Sequence, residues 1–150
     1  QQSEAHELAD TGAFDVIYGA GCHCAQPVEN YNGTWIIYGL GNAVTESANT
    51  ADTIVNNQGV TARIQFAGKK GVAGSWRVNR IDWVPSANVT QGKYQWCSLA
   101  SDHPDGPCWD ETQDVNVRQR IWDVLYSMGA DQNVVKEWNI TAERASSSGE

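Results

Sequence analysis

The sequence has few basic residues and no long hydrophobic run. It contains 10 Lys and Arg against 18 Asp and Glu among 150 residues, which gives a formal charge of −8. This charge opposes contact with nucleic-acid phosphates and anionic lipid, and no basic cluster exceeds Lys69-Lys70, so we expect no nucleic-acid partner. The longest apolar run, residues 35–44, contains glycines and is far shorter than the ~20 residues that cross a bilayer. We therefore expect no membrane span in this chain.

Several catalytic motifs are also missing. The sequence has no Gly-x-Ser-x-Gly, Walker A, dinucleotide-binding or His-Glu-x-x-His motif, which excludes the serine-hydrolase, nucleotide-binding and zincin classes that depend on them. Hydrophobic residues make up 41% of the chain, enough for the core of a single domain. Low lysine with seven Trp and many Asn, Thr and Gly is more typical of an exported protein, so we expect an extracellular or cell-surface location.

Hydrophobic patterning predicts four strands. Near-continuous apolar runs at 14–18 and 35–40 are typical of strands that are covered on both faces. Apolar and polar residues alternate at 60–67, and a related pattern returns at 76–84. We expect the last two segments to form an antiparallel pair.

The second strand of this pair carries irregularities. The apolar phase shifts near Asn79-Arg80, which predicts a β-bulge there, and Pro85 is expected to end the strand. Trp76 and Trp83 are expected to lie on the core face of the pair.

Two helices complete the pattern. Residues 3–11 predict a helix that ends at Gly12, and 113–128 predict a longer helix that is capped by Asp110 and ends at Gly129. The predicted fold class is α+β, with a mixed sheet and flanking helices.

A stretch rich in turn-forming residues separates the strands from the second helix. We expect residues 86–112 to form a loop that is closed by a disulfide between Cys97 and Cys108, because long loops are usually functional or cross-linked. The resulting organisation is residues 1–85, the loop 86–112, a helix and extension of the same domain at 113–145, and a tail at 146–150.

Each of the first two predicted strands runs into a glycine-rich turn with polar side chains. Glycines let a backbone approach a ligand closely or take a positive φ, and polar groups at neighbouring strand ends can assemble a site. If the strands are neighbours, four candidate binding residues meet at one edge of the sheet. They are His23, Gln26, Glu29 and Asn42.

These turns resemble the CapA-type capsule biosynthesis proteins, the poly-gamma-glutamate synthesis family, whose domain is related to calcineurin-like metallophosphoesterases. In that family a strand ends in Gly-His-x-His-Val-x-Gln-Pro-x-Glu, an Asn-Gly turn follows, and the next strand ends in Leu-Gly-Asn. The resemblance is specific over residues 8–44 and only suggestive from 45 to about 85. The matching residues are Gly19, His23, Gln26, Pro27, Glu29, Asn32, Gly33, Gly39, Leu40, Gly41 and Asn42.

The resemblance implies a fold like the C-terminal half of a metallophosphoesterase-like α/β sandwich, with His23 as a metal ligand. It also implies a divalent metal, manganese or zinc, in a completed domain. One histidine of the family's pair is replaced by Gly21, and the family's earlier acidic and histidine motifs do not occur in this sequence. A catalytic metal needs several ligands of fixed geometry, so this chain is expected to be inactive alone.

Other roles remain open for the same residues. Cys22 and Cys24 are either small buried residues, redox-active thiols, cross-links to another segment, or zinc ligands together with His23. Gln26 and Asn42 are expected to bond backbone groups of the turn, although Asn42 would also suit a substrate oxygen. Glu29 is expected to be salt-bridged or solvated rather than a general base. His6 has no partner at a recognisable spacing and is expected at the surface.

Two functions are therefore predicted. The first is synthesis or anchoring of an anionic capsule polymer, with a hydrolase-like metal site that a missing N-terminal half, supplied as a second chain, completes. The alternative is a non-catalytic cell-surface module that binds a polymer or serves a structural role and has a degenerate metal site. In either case a truncated sheet would expose an apolar strand edge, so we expect binding of a partner chain or self-association.

Overall fold

A computed structural model describes residues 1–45, 56–89, 95–102 and 107–141 of the chain. The described residues form two helices and two mixed sheets, which confirms the predicted α+β class. No helix in these ranges is long and apolar enough to cross a membrane. In chain order the elements are α1 (Gln2–Asp10), β1 (Val16–Tyr18), β2 (Val28–Tyr31), β3 (Thr34–Ile37), β4 (Gln58–Ala67), β5 (Arg77–Val89), β6 (Gln95–Ser98), α2 (Glu111–Leu125) and β7 (Val135–Glu137).

The first sheet has the order β1-β3-β2. Strand β1 runs parallel to β3, and β2 runs antiparallel to it. Asn32 and Gly33 join β2 to β3 with φ values of 51° and 90°, the two positive angles that a two-residue type I′ turn requires. All four residues of β3 are buried, as predicted for a strand covered on both faces. The same prediction is wrong for β1, which lies at the sheet edge and leaves Tyr18 71% exposed.

The second sheet has the order β4-β5-β6, with β7 added beside β5. The predicted antiparallel pair is confirmed as β4 and β5. Gln65 lies opposite Arg80 and Phe66 lies opposite Val78, so Asn79 is the extra residue of a β-bulge at the predicted place.

The expectation that Pro85 ends its strand is wrong. Strand β5 continues to Val89 and pairs with β6, so the predicted loop 86–112 is partly strand. Pro85 is tolerated because its carbonyl accepts the N–H of Leu99, while the N–H of the opposite residue, Val60, is donated to Leu40. The ladder therefore requires no N–H from the proline.

Helix α2 packs its buried residues against the second sheet. Val117, Ile121 and Leu125 share a hydrophobic core with Ile81 and Trp83 of β5. The predicted cap is confirmed, because the Asp110 carboxylate accepts the Gln113 N–H at 2.9 Å, and the helix begins at Glu111, two residues before the predicted start. It ends at Leu125, three residues before the predicted end.

The predicted disulfide links β6 to the approach of α2. Cys97 and Cys108 are bonded, and Cys108 belongs to the main core. Of the two tryptophans expected in the core, Trp83 is fully buried, whereas Trp76 is 53% exposed and that expectation is wrong. The tail at 146–150 lies outside the described residues.

Candidate functional site

The segment after β3 joins the two sheets. Leu40 forms a bridge with Ala25 on one side, and Gly41 forms a bridge with Gly59 at the start of β4 on the other. The Val60 N–H donates to the Leu40 carbonyl at 2.7 Å. Residues 39–42 are therefore the joint between the first and second sheets, a segment that we call the glycine joint.

Glycine is required in this joint because neighbouring backbones are too close for a side chain. A Cβ on Gly41 would lie 2.4 Å from the Gln58 carbonyl oxygen, and the residue has a φ of +69°. A Cβ on Gly59 would lie 2.4 Å from the Asn42 carbonyl oxygen. A Cβ on Gly39 would meet the Cys22 sulfur at 2.8 Å. These glycines allow contact between protein segments, rather than the approach of a ligand that the sequence also allowed.

His23 and Asn42 lie together at the end of the joint. The His23 Nδ1 is 3.0 Å from the Asn42 Oδ1, although 19 residues separate them. The Asn42 Nδ2 donates to the Asn56 carbonyl at 3.0 Å, which fixes the amide so that its oxygen faces the imidazole. In a neutral ring, Nδ1 then carries the hydrogen and Nε2 keeps its lone pair. This is the tautomer that a ligating histidine uses.

The backbone holds His23 in an uncommon conformation. Its φ is +57°, in the left-handed region that residues other than glycine rarely adopt, and its side chain is exposed. Gly21 has a φ of +100°. The resembled family has a histidine at the position of Gly21, and a histidine with this φ would be strained.

Gln26 lies beside the joint with an unsatisfied oxygen. Its N–H donates to the Gly39 carbonyl at 3.0 Å, which fixes the residue next to the joint. Its side-chain Oε1 is buried and has no hydrogen-bond partner in the part of the chain that the structure describes. Gln26 was expected to bond the backbone of the turn through its side chain, but its Oε1 makes no such hydrogen bond among the described residues.

Glu29 belongs to a separate cluster between α1 and the first sheet. Its Oε2 accepts from the Tyr38 hydroxyl at 2.6 Å and lies 2.9 Å from the His6 Nε2. The His6 ring also stacks on Tyr31, with centroids 3.7 Å apart. Glu29 is thus paired with His6, in agreement with the expected salt-bridged role. No contact among the described residues joins it to His23 or Asn42. His6 is partly buried, so the expectation of a surface residue is wrong.

Burial and hydrogen bonding shift the acidity of this cluster. Burial alone would raise the pKa of Glu29, but hydrogen bonds from Tyr38 and His6, with the attraction of a charged imidazole, lower it below its usual range. Burial and the adjacent carboxylate raise the pKa of Tyr38 well above its usual range. The sequence spacing of Glu29, Tyr38 and His6 does not predict this cluster. Tyr38 lies within an apolar run, which predicts a core residue rather than a hydrogen-bond donor.

The two cysteines beside His23 form a compact turn. The Cys22 thiol donates to the Cys24 carbonyl at 3.0 Å, and both cysteines are free and half-buried. The positive φ of Gly21 and His23 shows that this segment is a turn and not an extended strand. Burial and the neighbouring thiol raise the pKa of Cys24, which disfavours the thiolate needed for nucleophilic or metal chemistry.

The donor atoms of the described residues do not complete a metal centre. No group of three or more His, Cys, Asp or Glu side chains in residues 1–45, 56–89, 95–102 and 107–141 is placed to hold an ion. His23 and the Asn42 amide are two polar groups, whereas a catalytic divalent metal takes at least three protein ligands. These residues alone do not fit a hydrolytic metal site.

Comparison with known proteins identifies the first part of the chain. Residues 1–47, which contain the joint, His23 and the Glu29 cluster, match the family described as bacterial capsule synthesis protein PGA_cap. The chain is 37% identical over 84 residues to the PGA biosynthesis protein CapA of Bacillus subtilis (strain 168), covering 55% of this chain and 20% of that protein. It thus spans about a fifth of the length of that relative. No solved structure matches the chain. Through this segment, the chain is similar to the CapA-type family of bacterial capsule biosynthesis proteins.

Proposed function

We propose that the chain acts at the cell envelope in the synthesis or anchoring of an anionic capsule polymer. The observation that carries the proposal is the pairing of His23 with Asn42 across 19 residues, at the edge of a joint that matches the capsule synthesis family. The matched relative is named for PGA biosynthesis, and an envelope location is consistent with that name. The polymer is inferred from these relatives and not from a contact in the chain.

The exposed imidazole is proposed to be one edge of a larger site. Its Nε2 lone pair suits a metal ion, manganese or zinc, or the hydrogen of a polar ligand. Because too few donors surround it among the described residues, the proposed site takes its remaining ligands from outside residues 1–45, 56–89, 95–102 and 107–141, for example from a second chain. In such a site, Asn42 would hold the imidazole in the tautomer that leaves Nε2 free to bind.

The alternative function is a non-catalytic module that binds or anchors the polymer. Gly21 favours this alternative, because its φ of +100° is unsuited to the histidine that the resembled family has at this position. In this case the glycine joint serves the fold, and His23 contributes a hydrogen bond rather than a metal bond.

The test compares two histidine variants in cells that make the chain. His23→Asn removes the imidazole but keeps a side chain that accepts a positive φ and can still bond Asn42. His6→Asn is the matched control in the structural cluster. We expect His23→Asn to lower the amount of surface polymer without changing the unfolding midpoint, and His6→Asn to change stability alone. Normal polymer with His23→Asn would contradict a role for this site.

Metal content separates the two functions. If the site is completed by a second segment, the complex that contains wild-type chain holds a divalent metal, and the complex with His23→Asn holds much less. If neither complex holds metal while His23→Asn still lowers the surface polymer, the non-catalytic function is correct.

A further inference from the structure

The basic residues of this acidic chain are concentrated in one hairpin. Residues 56–81 contain five Lys and Arg and no Asp or Glu, which leaves five basic against 18 acidic residues elsewhere. The five are Arg63, Lys69, Lys70, Arg77 and Arg80. The net charge of −8 therefore conceals a local charge of the opposite sign.

The end of this hairpin projects from the second sheet. Strand β7 pairs with β5 at residues 81–83 and β6 pairs with it at 86–89, so residues 77–80 of β5 pair only with β4 among the described strands. Three residues of β4 in this part, 65–67, span about 10 Å at ~3.3 Å per residue, and the turn 68–76 extends further. We call residues 65–80 the basic arm.

The arm also exposes large apolar side chains. Phe66 is 47% exposed, Val72 is 48% exposed and Trp76 is 53% exposed, and they alternate along the chain with Lys69, Lys70 and Arg77. These three cations are exposed, and no acidic side chain pairs with them in the part of the chain that the structure describes. The same segment thus offers apolar groups and uncompensated positive charge.

The turn of the arm is held in one conformation. The Ser75 hydroxyl accepts the Lys69 N–H at 2.9 Å and bonds the Val72 carbonyl at 2.8 Å. The Trp76 ring lies against Gly68, where a Cβ would meet it at 2.6 Å. The exposed side chains are therefore presented by an ordered turn, which lowers the entropy lost on binding.

We propose that the basic arm binds the surface of an anionic membrane. Tryptophan favours the water–hydrocarbon interface, lysine and arginine are attracted to anionic headgroups, and apolar side chains gain by entering the acyl region. Asp82 pairs with Arg80, so the uncompensated cations of the arm are Lys69, Lys70 and Arg77. Exposed acidic charges farther than about 10 Å from these three are largely screened at 0.1 M salt. A soluble polyanion is less well matched, since it would contact the cations of the arm but would give the exposed Phe66, Val72 and Trp76 nothing apolar to enter.

The test measures sedimentation of the 150-residue chain with vesicles. Vesicles of phosphatidylcholine alone are compared with vesicles in which about a third of the lipid is phosphatidylglycerol. We expect binding to the anionic vesicles only, and weaker binding as salt is raised. Failure to bind the anionic vesicles at low salt would overturn the proposal.

Matched variants assign the binding to the arm. Lys70→Gln should weaken binding about fivefold, whereas Arg120→Gln, which removes an exposed charge on α2, should leave it nearly unchanged. Phe66→Ser should weaken binding by a similar factor, while Phe14→Ser, at a side chain that is 45% exposed outside the arm, should have little effect. Circular dichroism checks that each variant is folded.

A competitor distinguishes membrane from polymer. Soluble polyglutamate is added at increasing concentration to the vesicle mixture. If it displaces the chain and Phe66→Ser binds vesicles as well as the wild type, the arm is a polyanion site and the membrane proposal is wrong. His23 lies outside the basic arm, so the proposal does not depend on the His23 site. His23→Asn should therefore leave vesicle binding unchanged.

Discussion

Replacing Gly41 with alanine tests whether the glycine joint holds the two sheets together. The added Cβ would lie 2.4 Å from the Gln58 carbonyl oxygen and 3.0 Å from the Gly59 Cα, both backbone atoms that a rotamer change cannot move. Relief of this contact requires the joint and β4 to separate. That movement weakens two hydrogen bonds, from the Asn42 N–H to Gln58 at 3.0 Å and from the Val60 N–H to Leu40 at 2.7 Å.

The magnitude follows from two contributions. The positive φ costs an alanine about 1–2 kcal/mol, and each weakened hydrogen bond costs about 0.5–1.5 kcal/mol. Gly41→Ala should therefore lower the free energy of unfolding by about 2–5 kcal/mol. Gly12→Ala is the matched control, because Gly12 has nearly the same φ, +67° against +69°, and no atom within 4 Å of the added Cβ. It should show only the first contribution, about 1–2 kcal/mol.

The assay is urea unfolding followed by tryptophan fluorescence, with the disulfide kept oxidised. Linear extrapolation of the unfolding free energy to zero urea gives the loss of stability for Gly41→Ala and for Gly12→Ala. The two losses can be compared if both variants have similar slopes against urea concentration. If Gly41→Ala costs no more than Gly12→Ala, the close packing of the joint does not contribute to stability and the reasoning is wrong.

Three further predictions concern the Cys97–Cys108 disulfide, the Glu29 cluster and the buried carboxylate of Asp82. Breaking the Cys97–Cys108 bond with a Cys97→Ser, Cys108→Ser double variant should lower the unfolding free energy by about 3 kcal/mol, measured in urea without reductant; an unchanged midpoint would contradict this. The folded state lowers the pKa of Glu29, so the ionised carboxylate contributes to stability above its ordinary pKa of 4.5, and this contribution is lost as the pH falls through the folded-state pKa. Glu29→Gln should therefore make the unfolding free energy less dependent on pH in acid. An identical dependence for the variant and the wild type would refute the pairing. Asp82 is fully buried and pairs with Arg63 at 2.9 Å and with Arg80, whose side chains are 33% and 41% exposed, so Asp82→Ala should cost about 1.5–3 kcal/mol in thermal unfolding, and a loss below about 0.5 kcal/mol would contradict a contribution of these pairs to stability.

The strands and helices that depend on periodicity could be predicted from the sequence. Alternation identified β4 and β5, and the phase shift at Asn79 located the bulge. The stripe of α2 and its Asp110 cap depend on neighbours within one turn, so local sequence contains the information.

Errors arose where long-range pairing decides the outcome. A proline in this position predicts the end of a strand. Pro85 is instead tolerated within β5, because Leu99 donates to its carbonyl and the opposite residue, Val60, donates to Leu40, so the ladder needs no N–H from Pro85. The alternating pattern predicts Trp76 in the core, but strand β5 begins only at Arg77, and Trp76 lies in a turn that none of the described strands covers.

The candidate site was predictable only in part. Asn42 and His23 follow neighbouring strands and do meet, as the order of strands suggested. Glu29 was grouped with them, yet it pairs with His6, which lies on a helix 23 residues earlier. Residues that a helix brings to a sheet from the other side have no characteristic spacing, so sequence patterns do not find them.

The most direct test of the proposed site is native mass spectrometry of the chain purified from its source without chelator, with wild-type and His23→Asn chains compared. The proposal of a site completed by another segment predicts a complex of the wild-type chain with a second polypeptide that holds a divalent metal, and loss of that metal with His23→Asn. A metal-free wild-type chain, alone or as a homodimer, would contradict it.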